Sequence, residues 1–390
     1  MQSINSTQHD RPVRVAIDGS FLHLPPSGIG TYVRCLVDAL RAGSERLGVT
    51  VDVLGPSPGR VLRPGSRLHR FSWDTVGAGI DIARRRPRPD VLHLPQMSAP
   101  IISPVPAVVT IHDVIPLVLE EYRVSRAMQV YLALMARTAR NAHAIISPSQ
   151  ASALDIQRVL GVAQDRITVI PEAASPDLKP DAEGAASGMI RERFGIAGPY
   201  FFNIGGLDVR KNVPLLVESF ADALSELPKT MSLVIAGQAH SGNTRVFPPI
   251  EPVIRAHGLQ GRVHLLGRVS DDDRRILLQA AMACVTPSTY EGFGLTPLEA
   301  MACGTPVIAA NSSSFPEVIG EAGMLIEPER AAITQAMVRL ASTPDLQDRL
   351  AAAGLERASQ FSWAKAAEAT AGVYRRVALS ERSLSNGNIM

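Results

Sequence analysis

Cysteine is scarce in this 390-residue chain: Cys35, Cys284 and Cys303 are all there is, and their spacing matches no metal-ligand pattern. That excludes a disulfide scaffold, and the three read as reduced core thiols of a cytoplasmic protein. No apolar run reaches the roughly eighteen residues needed to span a bilayer. The segment Met1–Arg14 lacks the apolar stretch of a signal peptide. Aromatics are only 5% of the residues and the formal net charge is +2, a poor match to a nucleic-acid partner. Lysine is also rare, 4 of the 39 basic residues.

The small net charge hides an asymmetry. Residues 1–180 hold 20 Lys+Arg against 15 Asp+Glu, which leaves 19 against 22 for the remainder. Much of the excess sits at Arg60, Arg63, Arg67, Arg70 and the run Arg84-Arg85-Arg86-Pro87-Arg88. Such a half suits peripheral contact with an anionic membrane surface at its inner face, or with a phosphorylated acceptor. Solvated arginines on loops and helix backs are the simpler account.

What is present is ordinary for a globular enzyme, with 46% apolar and 19% charged residues. The length exceeds what one hydrophobic core usually organises, so two domains are expected. Short β-rich apolar runs alternate with helical patterns in both halves, which predicts an α/β fold of two Rossmann-like parallel-sheet domains facing across a cleft. In the first half the strands are Val13–Ile17, Val49–Leu54, Val91–His93, Ala107–Ile111, Ala144–Ile146 and Ile167–Ile170. In the second they are Tyr200–Ile204, Leu233–Ala236, Val263–Leu266, Ala283–Val285 and Val307–Ala310. A small, polar, proline-bearing stretch, 173–188, reads as the linker between domains 1–180 and 190–360. Phe361–Ala378 is helical, and Ser380–Met390 reads as disordered.

The most informative stretch is Pro287–Ala309. It sets two carboxylates, Glu291 and Glu299, on either side of the turn Gly292-Phe293-Gly294, which opens a helix through Leu295 and Thr296. Thr296 is a good N-cap, Pro297 suits the first helical position, and Gly304 suits the end. A helix start behind a glycine turn offers N–H groups to an anion. Two acids beside a phosphate site suit a diphosphate joined to a polyhydroxylated group, that is, a nucleotide sugar. Thr296-Pro297-Leu298-Glu299 also reads as a capping box, which leaves Glu291 unexplained.

Three strand ends carry further candidates. Gly28-Ile29-Gly30 fails as a dinucleotide fingerprint because Val33 occupies the third glycine position. Its glycines would still let backbone N–H groups approach a phosphate, and a plain tight turn is the competing reading. His112-Asp113 ends the strand Ala107–Ile111, where side chains of a parallel sheet meet ligands. Gly205-Gly206 precede Arg210-Lys211-Asn212, a cationic pair on a glycine-rich loop suited to a diphosphate. Asp271-Asp272-Asp273 follows Ser270 at a helix start, so the three acids complement the helix end rather than hold a metal.

The Pro287–Ala309 stretch resembles the Glu-x7-Glu signature of retaining glycosyltransferases of family 4, which have the GT-B fold. The resemblance runs over more than twenty consecutive residues and extends to Gly28-Ile29-Gly30-x-Tyr32, Ile111–Pro116 and Arg210-Lys211-Asn212. It implies that His112 contacts the donor sugar and that Asp113 orients it or meets the acceptor hydroxyl. It places Arg210 and Lys211 on the donor phosphates, Glu291 on sugar hydroxyls and Glu299 on the ribose. The family commonly has Arg where this chain has Thr31, so that charge is missing here. Glu317 matches a recurring family glutamate of architectural role. A helix like Phe361–Ala378 crosses back to the first domain in this family.

The implied reaction moves a hexose from a nucleoside diphosphate sugar to a hydroxyl of a glycan, lipid-linked or small glycoside acceptor, retaining configuration without a cofactor or metal. The string Ile111–Pro116 favours GDP-mannose, with UDP-glucose and dTDP-rhamnose behind. A GT-B-like sugar-nucleotide epimerase and a non-catalytic sensor are the alternatives.

Overall fold

The computed structural model describes residues 11–24, 27–55, 72–123, 125–238 and 242–387, with side chains described to 381. Arg60, Arg63, Arg67 and Arg70 lie outside the described residues. Two compact units emerge: the chain to Glu172 together with Ser362 onward, and Ala173–Phe361.

The first unit is built on a six-stranded sheet of order β2-β1-β3-β4-β5-β6. Its strands are β1 Val13–Asp18, β2 Val49–Leu54, β3 Val91–Leu94, β4 Ala107–Thr110, β5 Ala144–Ser147 and β6 Ile167–Val169. Every neighbouring pair is parallel. The three strands β3, β4 and β5 are buried at every position, as expected where helices cover both faces of a parallel sheet. That is why they read as unbroken apolar runs rather than alternating ones.

The helix Gly28–Ala42 begins three residues before the expected start at Thr31 and takes in the glycines. Gly28 and Gly30 form its first turn, and Ser27 caps it by accepting a hydrogen bond from Gly30 N–H at 3.1 Å. A serine cap followed by an amphipathic stretch suffices to start the helix there. A Cβ at Gly30 would sit 3.2 Å from the Phe21 carbonyl oxygen, a tight contact that favours a small residue there.

The last helix runs Trp363–Gly387, beyond the expected end at Ala378 and through residues expected to be disordered. Its buried positions, Trp363, Ala366, Ala367, Thr370, Ala371, Val373, Tyr374, Val377 and Ala378, follow the helical period and form one broad stripe within the first unit. The Trp363 ring meets Tyr32 edge-on at 5.8 Å, and Arg375 donates to the Leu47 carbonyl at 2.6 Å.

The second unit holds a six-stranded sheet of order β12-β11-β10-β7-β8-β9, again parallel throughout. Its strands are β7 Tyr200–Ile204, β8 Ser232–Ala236, β9 Val263–Gly267, β10 Ala283–Thr286, β11 Val307–Ala310 and β12 Met324–Ile326. The edge strand β12, three half-buried residues, was not among the expected strands. The chain passes between the units at Glu172–Ala173, where the stretch 173–188 begins, and that stretch packs as part of the second unit. Leu178 and Ala186 enter its apolar core, and Asp181 accepts from the Ala186 N–H at 2.8 Å where the helix Ala186–Phe194 begins.

Candidate functional site

In the second unit two loops at strand ends converge. Strand β7 runs into Gly205, whose φ of 146° lies in the left-handed half of conformational space. A Cβ there would stand 3.2 Å from Lys211 Nζ, and a Cβ on Gly237 would stand 1.9 Å from the Gly205 carbonyl oxygen. Glycine at both positions therefore lets two backbones and one lysine occupy a space no larger residue would leave. A single 3-10 turn, Val209–Lys211, follows, and Asn212 at φ 56° joins it to the helix Val213–Ala223. Asparagine tolerates that left-handed conformation better than most residues.

Arg210 and Lys211 share one carboxylate. Arg210 Nη1 lies 2.6 Å from Glu291 Oε2, and Lys211 Nζ lies 2.6 Å from Glu291 Oε1. Asp208, a residue without an assigned role in the sequence, braces Arg210 at 3.0 Å through Nε. The Tyr290 carbonyl accepts from Arg210 Nη1 at 3.0 Å, and Thr289 N–H donates to the Arg210 carbonyl at 2.8 Å. Burial pushes the Glu291 carboxyl up, but Arg210 and Lys211 outweigh it and hold it down at about 2. Glu291 is thus an anion between two cations.

The helix behind this cluster is Leu295–Ala302, and it corrects the expected cap. Its N-cap is Gly294 at φ 112°, with no side-chain hydrogen bond; Thr296 and Pro297 sit inside the first turn. The capping box does not form, because Glu299 is engaged elsewhere. Arg274 Nη1 donates to both its oxygens, at 2.8 and 3.1 Å, and Glu299 is 3% exposed. Arg274 comes from the helix Asp271–Ala280, which Ser270 caps by accepting from Asp273 N–H at 3.0 Å. A helix begun on glycine without a side-chain cap keeps its leading amides directed past its end. Gly292 and Phe293 complete the turn. Phe293 is buried, edge-on to Phe361 at 5.9 Å, so it anchors the turn from beneath. Arg357 Nη2 donates to the Glu317 carbonyl at 2.6 Å.

In the first unit His112 follows β4. Its Nδ1 stands 2.8 Å from Glu172 Oε1, and its ring meets Tyr32 edge-on at 4.8 Å. His112 Nε2 is buried and has no hydrogen-bond partner. Asp113 turns to its own backbone, accepting from Ile115 N–H at 3.0 Å through Oδ1. Behind them runs a buried polar chain. Tyr374 hydroxyl meets His93 Nδ1 at 2.7 Å, His93 Nε2 meets Thr110 at 2.8 Å, and Thr110 meets the Tyr32 hydroxyl at 2.9 Å. Burial, then the neighbouring His112, lowers the His93 pKa to about 3, and burial raises those of Tyr32 and Tyr374. The whole chain is therefore neutral.

Glu172, His93, Tyr374, Asp208 and Arg274 were given no site role in the sequence reading. Glu172 had a usable signal, since it follows β6 as His112 follows β4. The others are ordinary residues in the sequence, and only packing brings them into place. Among the described residues no group of three His, Cys, Asp or Glu side chains is arranged to hold a metal ion, and no helix is long and apolar enough to cross a membrane.

Comparison with known proteins agrees with this organisation. Residues 26–178 match the family model Glycosyltransferase Family 4, and residues 190–357 match Glycosyl transferases group 1. The O-antigen chain mannosyltransferase B of Escherichia coli is 30% identical over 270 residues, 69% of this chain and 70% of that protein. Sucrose-phosphate synthase of Thermosynechococcus elongatus superposes with a TM-score of 0.74 at 21% identity, covering 94% of this chain and 100% of its own. Anabaena HepE, solved in complex with UDP and glucose, superposes with a TM-score of 0.70 at 20% identity, over 93% of this chain and 99% of its own. Two parallel six-stranded units of the GT-B type, matched over both halves by family models, make this chain a mannosyltransferase-like member of glycosyltransferase family 4.

Proposed function

We propose that this glycosyltransferase moves mannose from GDP-mannose to a hydroxyl of a glycan or lipid-linked acceptor, with retention of configuration at the transferred carbon. The observation that carries the reading is the shared carboxylate: Arg210 and Lys211 both lie 2.6 Å from Glu291, beside the uncapped start of Leu295–Ala302. Cleavage of the glycosyl–phosphate bond builds negative charge on the departing diphosphate. Arg210, Lys211 and the amides of the turn Gly292–Thr296 meet that charge, the work a divalent ion would otherwise do. One such donor contributes about 3 kcal/mol to the transition state.

Glu291 receives the sugar hydroxyls and Glu299, steadied by Arg274, receives the ribose. His112 accepts from a hydroxyl of the donor sugar, and Asp113 fixes the turn that presents it. Gly28, Gly30, Gly205, Gly206 and Asn212 shape the backbone near the phosphates. The acceptor hydroxyl attacks from the face the diphosphate leaves, so the first unit supplies acceptor contacts rather than a covalent nucleophile. Mannose is favoured by the mannosyltransferase relative and by the string Ile111–Pro116, and the uridine ligand of the Anabaena neighbour keeps UDP-sugars in the test.

Thermal unfolding against GDP-mannose, UDP-glucose and dTDP-rhamnose tests it, since a ligand held only by the native state raises the midpoint with occupancy. The expected result is the largest rise with GDP-mannose and a much smaller one in Lys211→Ala. No rise with any sugar nucleotide, or equal rises in both proteins, would overturn the reading.

A further inference from the structure

The pairing of His112 with Glu172 decides more than the placement of a ring. A carboxylate accepts and cannot donate while ionised, so the 2.8 Å contact at His112 Nδ1 requires the imidazole proton on that nitrogen. In the neutral imidazole the other nitrogen, Nε2, then carries the lone pair. It is buried and unpartnered, a situation that native structures seldom leave without a purpose. The Tyr32 ring packs edge-on against the imidazole at 4.8 Å. Tyr32 is itself held through its hydroxyl by Thr110 at 2.9 Å. Glu172 sits 60 residues along the chain on the loop after β6, and it is 5% exposed, so water does little to weaken its hold.

From this geometry we propose that Glu172 is a positioning residue for sugar recognition. It fixes the Nδ1–H tautomer of His112 so that Nε2 is an obligate acceptor, selecting a donor sugar that offers a hydroxyl hydrogen there. This rests on the assignment of His112 to the donor sugar. Without Glu172 the imidazole would distribute its proton between both nitrogens, and in the Nε2–H form it would donate to the hydroxyl oxygen instead of accepting the hydroxyl hydrogen, which reverses the hydrogen bond the site is built to make. The role acts on the sugar alone, so a nucleotide lacking the sugar does not sense it.

Two measurements on the full chain test the proposal. Nitrogen-15 NMR of histidine-labelled protein reports the tautomer directly and needs no ligand. His112 is expected as the Nδ1–H form in the wild type and as a mixture in Glu172→Gln; an Nε2–H wild-type imidazole, or an unchanged spectrum in the variant, overturns it. Binding of GDP-mannose and GDP by titration calorimetry gives the second readout. Glu172→Gln is expected to weaken GDP-mannose about tenfold, the scale of one hydrogen bond, while GDP binds as before. Glu172→Asp restores part of the loss, and in a His112→Ala background Glu172→Gln adds nothing. Equal weakening of GDP and GDP-mannose would mark Glu172 as merely structural. A wild type that binds GDP but not GDP-mannose would instead fault the choice of donor, with the tautomer measurement still deciding the role of Glu172.

Discussion

In the first unit the polar groups behind β3 and β4 form a neutral chain, with links of 2.7, 2.8 and 2.9 Å from Tyr374 through His93 and Thr110 to Tyr32. In the second unit the corresponding strand-end loops are held by charge, with Arg210 and Lys211 both 2.6 Å from Glu291. A neutral chain suits a buried scaffold, because every member is paired and none costs the desolvation of an ion. A charged cluster suits a site that exchanges partners. Arg210 and Lys211 are already paired and only 16% and 11% exposed, so under the proposed function an incoming diphosphate would replace one anionic partner with another rather than attract bare cations. The first unit thus holds these polar residues by neutral pairing and the second by charge.

The sharpest way to break this contrast is to remove a cation. Lys211→Ala is expected to lower kcat by 10- to roughly 1000-fold with the fold intact, the range for loss of one leaving-group donor. Unchanged nucleotide release, followed by coupled assay, would remove the exchange account. Next in size is Glu291→Gln, which leaves the two cations without their anion. We expect about 3 kcal/mol of lost stability in the free protein, as for a broken buried pair, and recovery of much of it when GDP is added. Denaturant titration with and without GDP measures both; a loss that GDP does not restore would contradict the exchange.

The smallest expected effect separates the units by acid. Neutral His93 has its pKa lowered from 6.5 to about 3 when folded, so below 6.5 the unfolded chain binds the extra proton and stability falls as pH drops towards 3. Glu291 is lowered from 4.5 to about 2, so its contribution is intact above 4.5 and fades only as pH falls towards 2. Hydrogen exchange between pH 7 and 5 should therefore show the first unit loosening before the Glu291 cluster. His93→Phe should cost about 2 kcal/mol by stranding the Tyr374 hydroxyl and abolish that early sensitivity. Simultaneous loosening of both units would show that His93 does not set the acid response.

Much of the fold was legible because parallel strands buried on both faces announce themselves as apolar runs, as Ala107–Thr110 and Ala144–Ser147 do. The strand β12, three half-buried residues at the sheet edge, lay outside that expectation. The cationic loop Arg210-Lys211 and the paired acids Glu291 and Glu299 were visible from residue type and spacing. Their partners were not. The capping box at Thr296–Glu299 satisfied every local rule and still did not form, because Arg274 offered Glu299 two hydrogen bonds from a separate helix. The small, polar stretch 173–188 does begin where the chain passes between units, but nothing local showed that Leu178 enters the core.

The order of amino acids determined the alternation of strands and helices, the glycines at tight backbone approaches, and which side chains emerge at strand ends, since each follows from a local period or a local conformational preference. Only the tertiary structure decided the pairings: Glu291 with Arg210 and Lys211, Glu299 with Arg274, His112 with Glu172, and Tyr374 with His93. Those choices join residues 25 to 281 positions apart. They depend on which buried charges and dipoles must be neutralised once the strands have come together, and no local window of sequence contains that requirement.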